Sequence, residues 1–346
     1  MSYDAIDQKE TTKVRMKAVV QHGYGPPDQV LRLDELDLPP VGEDDVLVRM
    51  RATSVNTPDW ITVTGVPYLI RLQSGLREPP TPVRGTDVAG VVETVGQHVT
   101  DLEPGDEVFG SWWTGNLGTQ GTFAEFSVGP ATQLVKKPAN LSFEEAGAAG
   151  MSGLTALIAI RDVGRAGPGS RVLINGASGG VGTFAVQIAK TLGGQVTAVC
   201  STRNVELVES LGADHVIDYT KEDFTRGDQR YDVILDNVMN HSPSATTRVL
   251  APGGTFIPNS VGNKGGFFAG LPRMARAALM RLGRTDVQYA GDWVPPNHDN
   301  LTALAELLES GAVEVVIEEV YPLSEAGQAV AHMLGHHARG NIVITI

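Results

Sequence analysis

Short runs of apolar residues broken by turn formers fill the first third of the chain. Residues 16–20, 30–33 and 46–52 read as strands, separated by Gly23-Tyr24-Gly25-Pro26-Pro27 and by Pro39-Pro40. Residues 88–95 and 107–109 continue the pattern across the turn Glu103-Pro104-Gly105-Asp106. So many short strands ahead of the first helix-rich region predict a β-rich domain of Greek-key or barrel character. The pattern then changes. Ser142, with Glu145 three residues on, forms a capping box that starts a helix and marks a domain junction.

Beyond that junction strands alternate with helices. Val172-Leu173-Ile174 is a continuous apolar run of the kind buried in a parallel sheet. A glycine-rich turn follows it, then apolar residues at helical spacing (Phe184, Val186, Ile188, Ala189, Leu192), then a second strand over 196–199. That is a βαβ unit of about thirty residues. A helix over 205–211 and strands over 215–219, 231–236 and 254–257 extend it, predicting a doubly wound parallel sheet and an α/β fold. A helix over 272–282, whose arginines read as a solvated face, and a last strand over 286–290 follow. A helix over 300–310 and a strand over 341–346 have no place in a six-stranded sheet, so they are expected to return to the first domain. The expected units are 1–142, 143–296 and 297–346, with a loose arm over residues 1–14.

With 346 residues the chain has core enough for two domains. The net charge of −13 argues against nucleic acid and against a polybasic membrane surface. Cys200 is the one cysteine, which excludes a disulfide scaffold and a tetrathiolate zinc site. The polar, acidic start lacks the apolar core of a signal peptide, and the longest uncharged apolar run, 146–160, is too short to span a bilayer. A cytoplasmic, reducing compartment is the expectation.

The glycine turn carries the first chemistry. Ala177-Ser178-Gly179-Gly180-Val181-Gly182 is G-x-G-x-x-G with alanine at the first glycine. Between a strand and an amphipathic helix it predicts a dinucleotide site, the pyrophosphate resting on the helix N-terminus. At the end of the second strand, Cys200-Ser201-Thr202-Arg203-Asn204 offers no carboxylate before Glu206. Ser201 can donate to a phosphate and Arg203 can pair with one, so the expected cofactor is NADPH. Arg203 as a merely solvated first-turn residue is the competing reading. Asn237-Val238 and Asn259-Ser260-Val261 follow strand ends, where ligands of open α/β sheets collect.

An ordered set of motifs then points to a family: Val55-Asn56-Thr57-Pro58-Asp59, Gly85-Thr86-Asp87-Val88-Ala89-Gly90, Gly105-Asp106-Glu107-Val108-Phe109-Gly110, Gly121-Thr122-Phe123-Ala124-Glu125, Gly153-Leu154-Thr155-Ala156 and the glycine turn itself. From about residue 16 onward the chain resembles the medium-chain dehydrogenase/reductase superfamily, in its zinc-free quinone oxidoreductase-like branch. The resemblance implies a GroES-like catalytic domain, an inserted Rossmann domain, a C-terminal return, a nicotinamide cleft between the domains and a homodimer. It places Asn56 and Gly85-Thr86-Asp87 where zinc relatives carry their ligands, so no catalytic metal is expected. His22, His98, His215, His241, His298 and His332 are scattered, and the pair His336-His337 reads as exposed.

Without a metal, hydride addition to a quinone or an α,β-unsaturated carbonyl is the easier reaction, because charge spreads onto an oxygen that one hydrogen bond or proton can stabilise. The resemblance implies Asn56 beside the nicotinamide, Tyr68 as a proton donor, and Thr155, Ala177, Ser178, Gly179, Gly180 and Val181 along the cofactor path. It also implies Tyr219 flanking the adenosine 2′-phosphate, while Asn237 and Val261, by their places after strand ends, complete the expected cofactor set. Tyr68 reads equally well as a packing residue of a loop rim. Asp59 reads as structural, accepting from backbone. Relatives often show Arg-Gly-Lys near the C-terminus, where this chain has Arg339-Gly340-Asn341. The substrate is a small-molecule quinone or enone. Two alternatives stand beside it: an enoyl-thioester reductase, with Arg71, Arg77 and the arginines of 273–284 facing a pantetheine phosphate arm, and an NADPH-binding protein without catalysis.

Overall fold

The computed structural model describes residues 15–113, 121–260, 275–276, 279, 288–289, 297–335 and 339–346, without the side chains of Ile70, Gln73, Ser74, Gln288 and Tyr289. The expected arm over 1–14, the pair His336-His337, Val261 and most of the basic helix lie outside them. Of that helix, residues 275–276 and 279 are described and are helical.

In chain order the first strands are β1 (Arg15–Gln21), β2 (Leu31–Asp37), β3 (Asp45–Ser54), β4 (Asp87–Val95), β5 (Glu107–Ser111), β6 (Phe126–Pro130) and β7 (Leu134–Lys136). The parallel-sheet strands are β8 (Arg171–Asn175), β9 (Gln195–Cys200), β10 (His215–Asp218), β11 (Tyr231–Asp236), β12 (Leu250–Pro258) and β13 (Gln288–Tyr289). The last two are β14 (Ile317–Pro322) and β15 (Asn341–Thr345). β1 and β2 pair antiparallel, and a seven-stranded sheet runs β14-β15-β3-β4-β5-β7 with β6 also on β3. Val46, Val48 and Met50 of β3 point to one apolar cluster with Val88, Val92 and Val108, as strand alternation requires.

The second sheet has the order β10-β9-β8-β11-β12-β13, all parallel. Counted from β8 this is 3-2-1-4-5-6, the doubly wound dinucleotide arrangement, with its reversal of direction between β8 and β11. Val172, Leu173 and Ile174 are fully buried, the burial expected of a run covered on both faces.

The helix Phe143–Leu157 joins the layers. Its start is the expected capping box: Glu145 N–H donates to Ser142 Oγ, and Ser142 N–H to the Glu145 carboxylate. Gly147, Gly150 and Gly153 recur every third residue along it. A Cβ on Gly147 would meet the β3 backbone at 3.0 Å, one on Gly150 the Gly110 carbonyl at 2.4 Å, and one on Gly153 Leu304 at 2.8 Å. The helix therefore lies against backbone on its sheet side, while Leu154 and Leu157 share an apolar cluster with Phe184 and Ile188 of the next helix.

The C-terminal segment packs against the first sheet. The helix His298–Glu309, N-capped by Asn297, packs on Phe143–Leu157 and β7. β15 pairs antiparallel with β3 and parallel with β14, which the sequence pattern did not disclose. Three strands, β6, β7 and β14, were not expected from the sequence, and the others differ from expectation at their ends. β12 starts at Leu250, earlier than 254, because Tyr231 pairs there before a register shift in the ladder.

Candidate active site

The glycine turn runs from Gly176, whose φ is +78°, to the helix Gly180–Thr191. The left-handed residue is Gly176, one position before the alanine that replaces the first motif glycine, so Ala177 carries no strain. Gly176 and Ala177 N–H both donate to Val199 O, tying the turn to β9. A Cβ on Gly182 would lie 2.2 Å from the Gly176 carbonyl, so close strand–helix packing requires glycine there. From the other side Gly340 N–H donates to Ser178 O at 2.8 Å. Asn341 is buried, donates to Val316 O from both its backbone N–H and its Nδ2, and sets its Oδ1 against Gly180. The residue standing for the usual lysine is thus used inside the protein.

At the end of β9, where the 2′-phosphate is expected, Ser201 is half-buried and Arg203 exposed on the turn Thr202–Asn204. Tyr219 is 50% exposed, its N–H donating to Cys200 O across β9 and β10. One carboxylate does stand nearby, and the sequence reading missed it. Asp218 pairs with Cys200 in register because β10 lies beside β9. It accepts from Thr202 Oγ1 at 2.6 Å and from Thr220, and it pairs with Lys221 at 2.8 Å. Lys221 above all, then Thr202 and Thr220, hold its carboxyl far below the usual range. It is matched, and it brings a second cation, Lys221, to the end of β10. Burial pushes the Cys200 thiol up to about 11, which leaves it unreactive.

At the switch point, Asp236 is fully buried and accepts from Asn175 Nδ2 and from Val238 and Met239 N–H. Burial raises its pKa. Asn237 Oδ1 accepts from Asn259 at 2.6 Å, while its Nδ2 is buried with no acceptor. Asn175 and Asp236 were not anticipated, because their pairing spans 61 residues. The glycine cradle, the helix N-terminus and the unpartnered Asn237 donor together fit a dinucleotide.

Asn56 lies at the entry of the helix Thr57–Thr64 and is buried. Its backbone N–H donates to Asp59 Oδ2 at 2.7 Å, and Gly85 N–H to Asp59 Oδ1 at 3.0 Å, the structural role expected of Asp59. Its side-chain Nδ2 donates to Asp87 Oδ2 at 2.9 Å and to Ser54 Oγ at 3.0 Å, with Thr86 Oγ1 at 3.3 Å. Asp87 also accepts from Ser54 Oγ at 2.6 Å and from Met151 N–H at 2.7 Å. With both amide hydrogens turned inward, Asn56 has only the acceptor Oδ1 to offer a ligand.

Both carboxylates are wholly buried. Desolvation pushes Asp59 to about 7, the backbone bond from Asn56 opposing and the charge of Asp87 adding. Desolvation likewise pushes Asp87 to about 6 against its bonds from Ser54 and Asn56. Arg84 faces Asp59 and Tyr24, is fully buried, bonds Thr81 Oγ1 at 3.1 Å and leaves Nε and Nη1 without acceptors. Burial lowers it to about 10.

Two adjacent residues connect the regions. Met151 N–H holds Asp87, and Ser152 Oγ sits against Gly180. Thr155, one turn on, is half-buried on the same helix. Tyr68 is not in the buried cluster. It stands 44% exposed on the turn Tyr68–Ile70, its ring centroid 4.6 Å from the Arg71 guanidinium. Arg71 also stacks on Tyr24 and donates to Thr64 O and Gly65 O. Among the described residues no group of three His, Cys, Asp or Glu is placed to hold a metal ion.

Two family models match: an alcohol dehydrogenase GroES-like domain over residues 42–139 and a zinc-binding dehydrogenase model over 211–344. The chain is 33% identical to the chloroplastic quinone-oxidoreductase QR1 of Triphysaria versicolor, over 95% of this chain and 98% of that protein. It is 32% identical to the trans-enoyl reductase pgmF of Aspergillus terreus, over 88% and 87%. The quinone oxidoreductase structure from Coxiella burnetii superposes with a TM-score of 0.82 at 26% identity, covering 96% of this chain and 100% of that one.

Proposed function

The chain belongs to the medium-chain dehydrogenase/reductase superfamily, in its quinone oxidoreductase-like branch, and from that premise we propose that it reduces quinones or α,β-unsaturated carbonyl compounds with NADPH and no metal. The observation that carries the proposal is the Asn56 amide, both of whose N–H bonds are spent on Asp87, Ser54 and Thr86. The side chains gathered there are a neutral amide, two hydroxyls and a carboxylate already accepting from three donors, a set without thiolate or imidazole.

Bound NADPH supplies the hydride. The chain's own residues do the rest. The glycine turn and the Gly180–Thr191 N-terminus take the pyrophosphate, while Ser201, Arg203, Tyr219 and Lys221 take the 2′-phosphate. Asn56 Oδ1, fixed by Asp87, accepts from the carboxamide end of the cofactor and orients it. Tyr68 at the rim donates a proton to the carbonyl or quinone oxygen as charge develops there. The proposal includes a cytoplasmic homodimer.

The similarity to a trans-enoyl reductase favours an enone over a simple ketone as substrate. It does not extend to a pantetheine phosphate site at Arg71, whose guanidinium is already occupied by two carbonyls and two rings. The test follows NADPH oxidation across a panel of quinones, enones and enoyl thioesters. Turnover of quinones or enones is expected to survive exhaustive chelation and to favour NADPH over NADH by roughly tenfold or more, a preference that Arg203→Ala reduces. No turnover on any member, or turnover restored only by added zinc, would overturn the proposal.

A further inference from the structure

The turn Thr202–Asn204 leads into the helix Val205–Ser210, so Asn204 stands where a side chain normally caps a helix. It makes no capping hydrogen bond. Its side chain is buried, and its Nδ2 donates to Ser178 Oγ at 2.9 Å and, at a longer 3.4 Å, to Ser201 Oγ. Its Oδ1 is buried without a partner. Turning the amide over would strand an NH2 with two donors in place of one carbonyl, a costlier arrangement.

A hydroxyl has one hydrogen. When its oxygen accepts from Asn204, that hydrogen is kept for another partner. We propose that Asn204 is a positioning residue that fixes Ser178 and Ser201 as hydrogen-bond donors toward the phosphates of the cofactor. Ser178, within the glycine turn, serves the pyrophosphate, and Ser201, at the end of β9, serves the 2′-phosphate. Phosphate oxygens at neutral pH mainly accept, so a serine turned the other way would present lone pairs to lone pairs. Only the Ser201 arm rests on the NADPH reading; the Ser178 arm acts on NADH and NADPH alike.

The test is equilibrium binding of NADPH, NADH and 2′,5′-ADP, read by calorimetry, with thermal melts of the nucleotide-free proteins as the fold control. Asn204→Asp keeps the shape but only accepts when ionised, so it draws both serine hydrogens inward. It is expected to weaken NADPH and NADH together. The deciding measurement is Ser201→Ala in two backgrounds. In the native background it removes a donor and weakens NADPH and 2′,5′-ADP roughly tenfold. In the Asn204→Asp background it removes a misdirected lone pair and leaves binding unchanged or tighter. An equal loss in both backgrounds would mean that the aspartate acts by charge alone, and would overturn the proposal. Should the unaltered protein bind NADH as tightly as NADPH, the cofactor reading fails by itself. The same inversion is then sought with Ser178→Ala and NADH, where its absence sinks the role given to Asn204.

Discussion

The nucleotide turn and the Asn56 cluster lie on either side of one helix and are built on opposite principles. The turn is made of backbone: Gly176, Ala177 and Gly340 N–H groups find carbonyls, and shape is set by the absence of side chains. The cluster is made of charge: among the described residues Asp59 and Asp87 are buried without a direct ion pair and are satisfied by N–H and O–H donors from β3, the loop before β4 and two helix segments. A cradle of the first kind is sensitive to added volume. A cluster of the second kind is sensitive to lost donors and to pH.

The largest effect on nucleotide affinity is expected from Gly182→Ala. With no room before the Gly176 carbonyl, the helix must shift, costing about 1–3 kcal/mol and most of the nucleotide affinity, as melts and binding titrations would show. On the cluster side, Asp87→Ala leaves the Asn56, Ser54 and Met151 donors without their acceptor. A loss of about 2–3 kcal/mol in denaturant unfolding, with kcat reduced more than nucleotide affinity, is expected.

The pH dependence separates the two regions further. Asp59 and Asp87 have folded pKa values of about 7 and about 6, above the ordinary carboxylate value, so the folded state holds more protons than the unfolded one between roughly pH 4 and 7. Their contribution to stability therefore falls as pH rises through that window and is flat above it. Matched carboxylates such as Asp232, lowered by Arg171, contribute in the opposite sense only at more acid pH. Asp59→Asn should flatten the decline between pH 5 and 7.5 by about 1–2 kcal/mol in a series of melts. Gly182→Ala should leave that slope untouched. The smallest effect is expected from Arg84→Met. Removing a buried cation with two unpartnered donors offsets its lost attraction to Asp59, so stability at pH 6 stays within about 1 kcal/mol. The Asp59 transition, however, moves to higher pH.

The nucleotide region was largely legible in the sequence, because its information is local. A strand, a turn and a helix within 171–191 specify the cradle, and the 3-2-1 order follows from alternating strands and helices. Even there, two features escaped. Asp218 and Lys221 meet the β9 end only through strand pairing, and Asn204 stands at a helix-cap position with its side chain turned away to Ser178. The Asn56 cluster was half legible. Asp59 acts three residues from Asn56, a local pattern, whereas Asp87 and Met151 reach it from 31 and 95 residues away. Tyr68 is a case of sequence pointing at a position without its surroundings, since nothing before Arg71 in the chain announces the stack that holds it.

The three glycines of Phe143–Leu157 make that helix a spacer of fixed thickness, with Met151 gripping one region and Ser152 abutting the other. One added methyl at Gly147 or Gly150 would press the helix off the sheet and so, under the proposed function, move hydride donor and acceptor apart. Under the proposed function that thickness sets the reach between cofactor and substrate, so drift at those glycines would register as slower transfer before it registered as weaker binding.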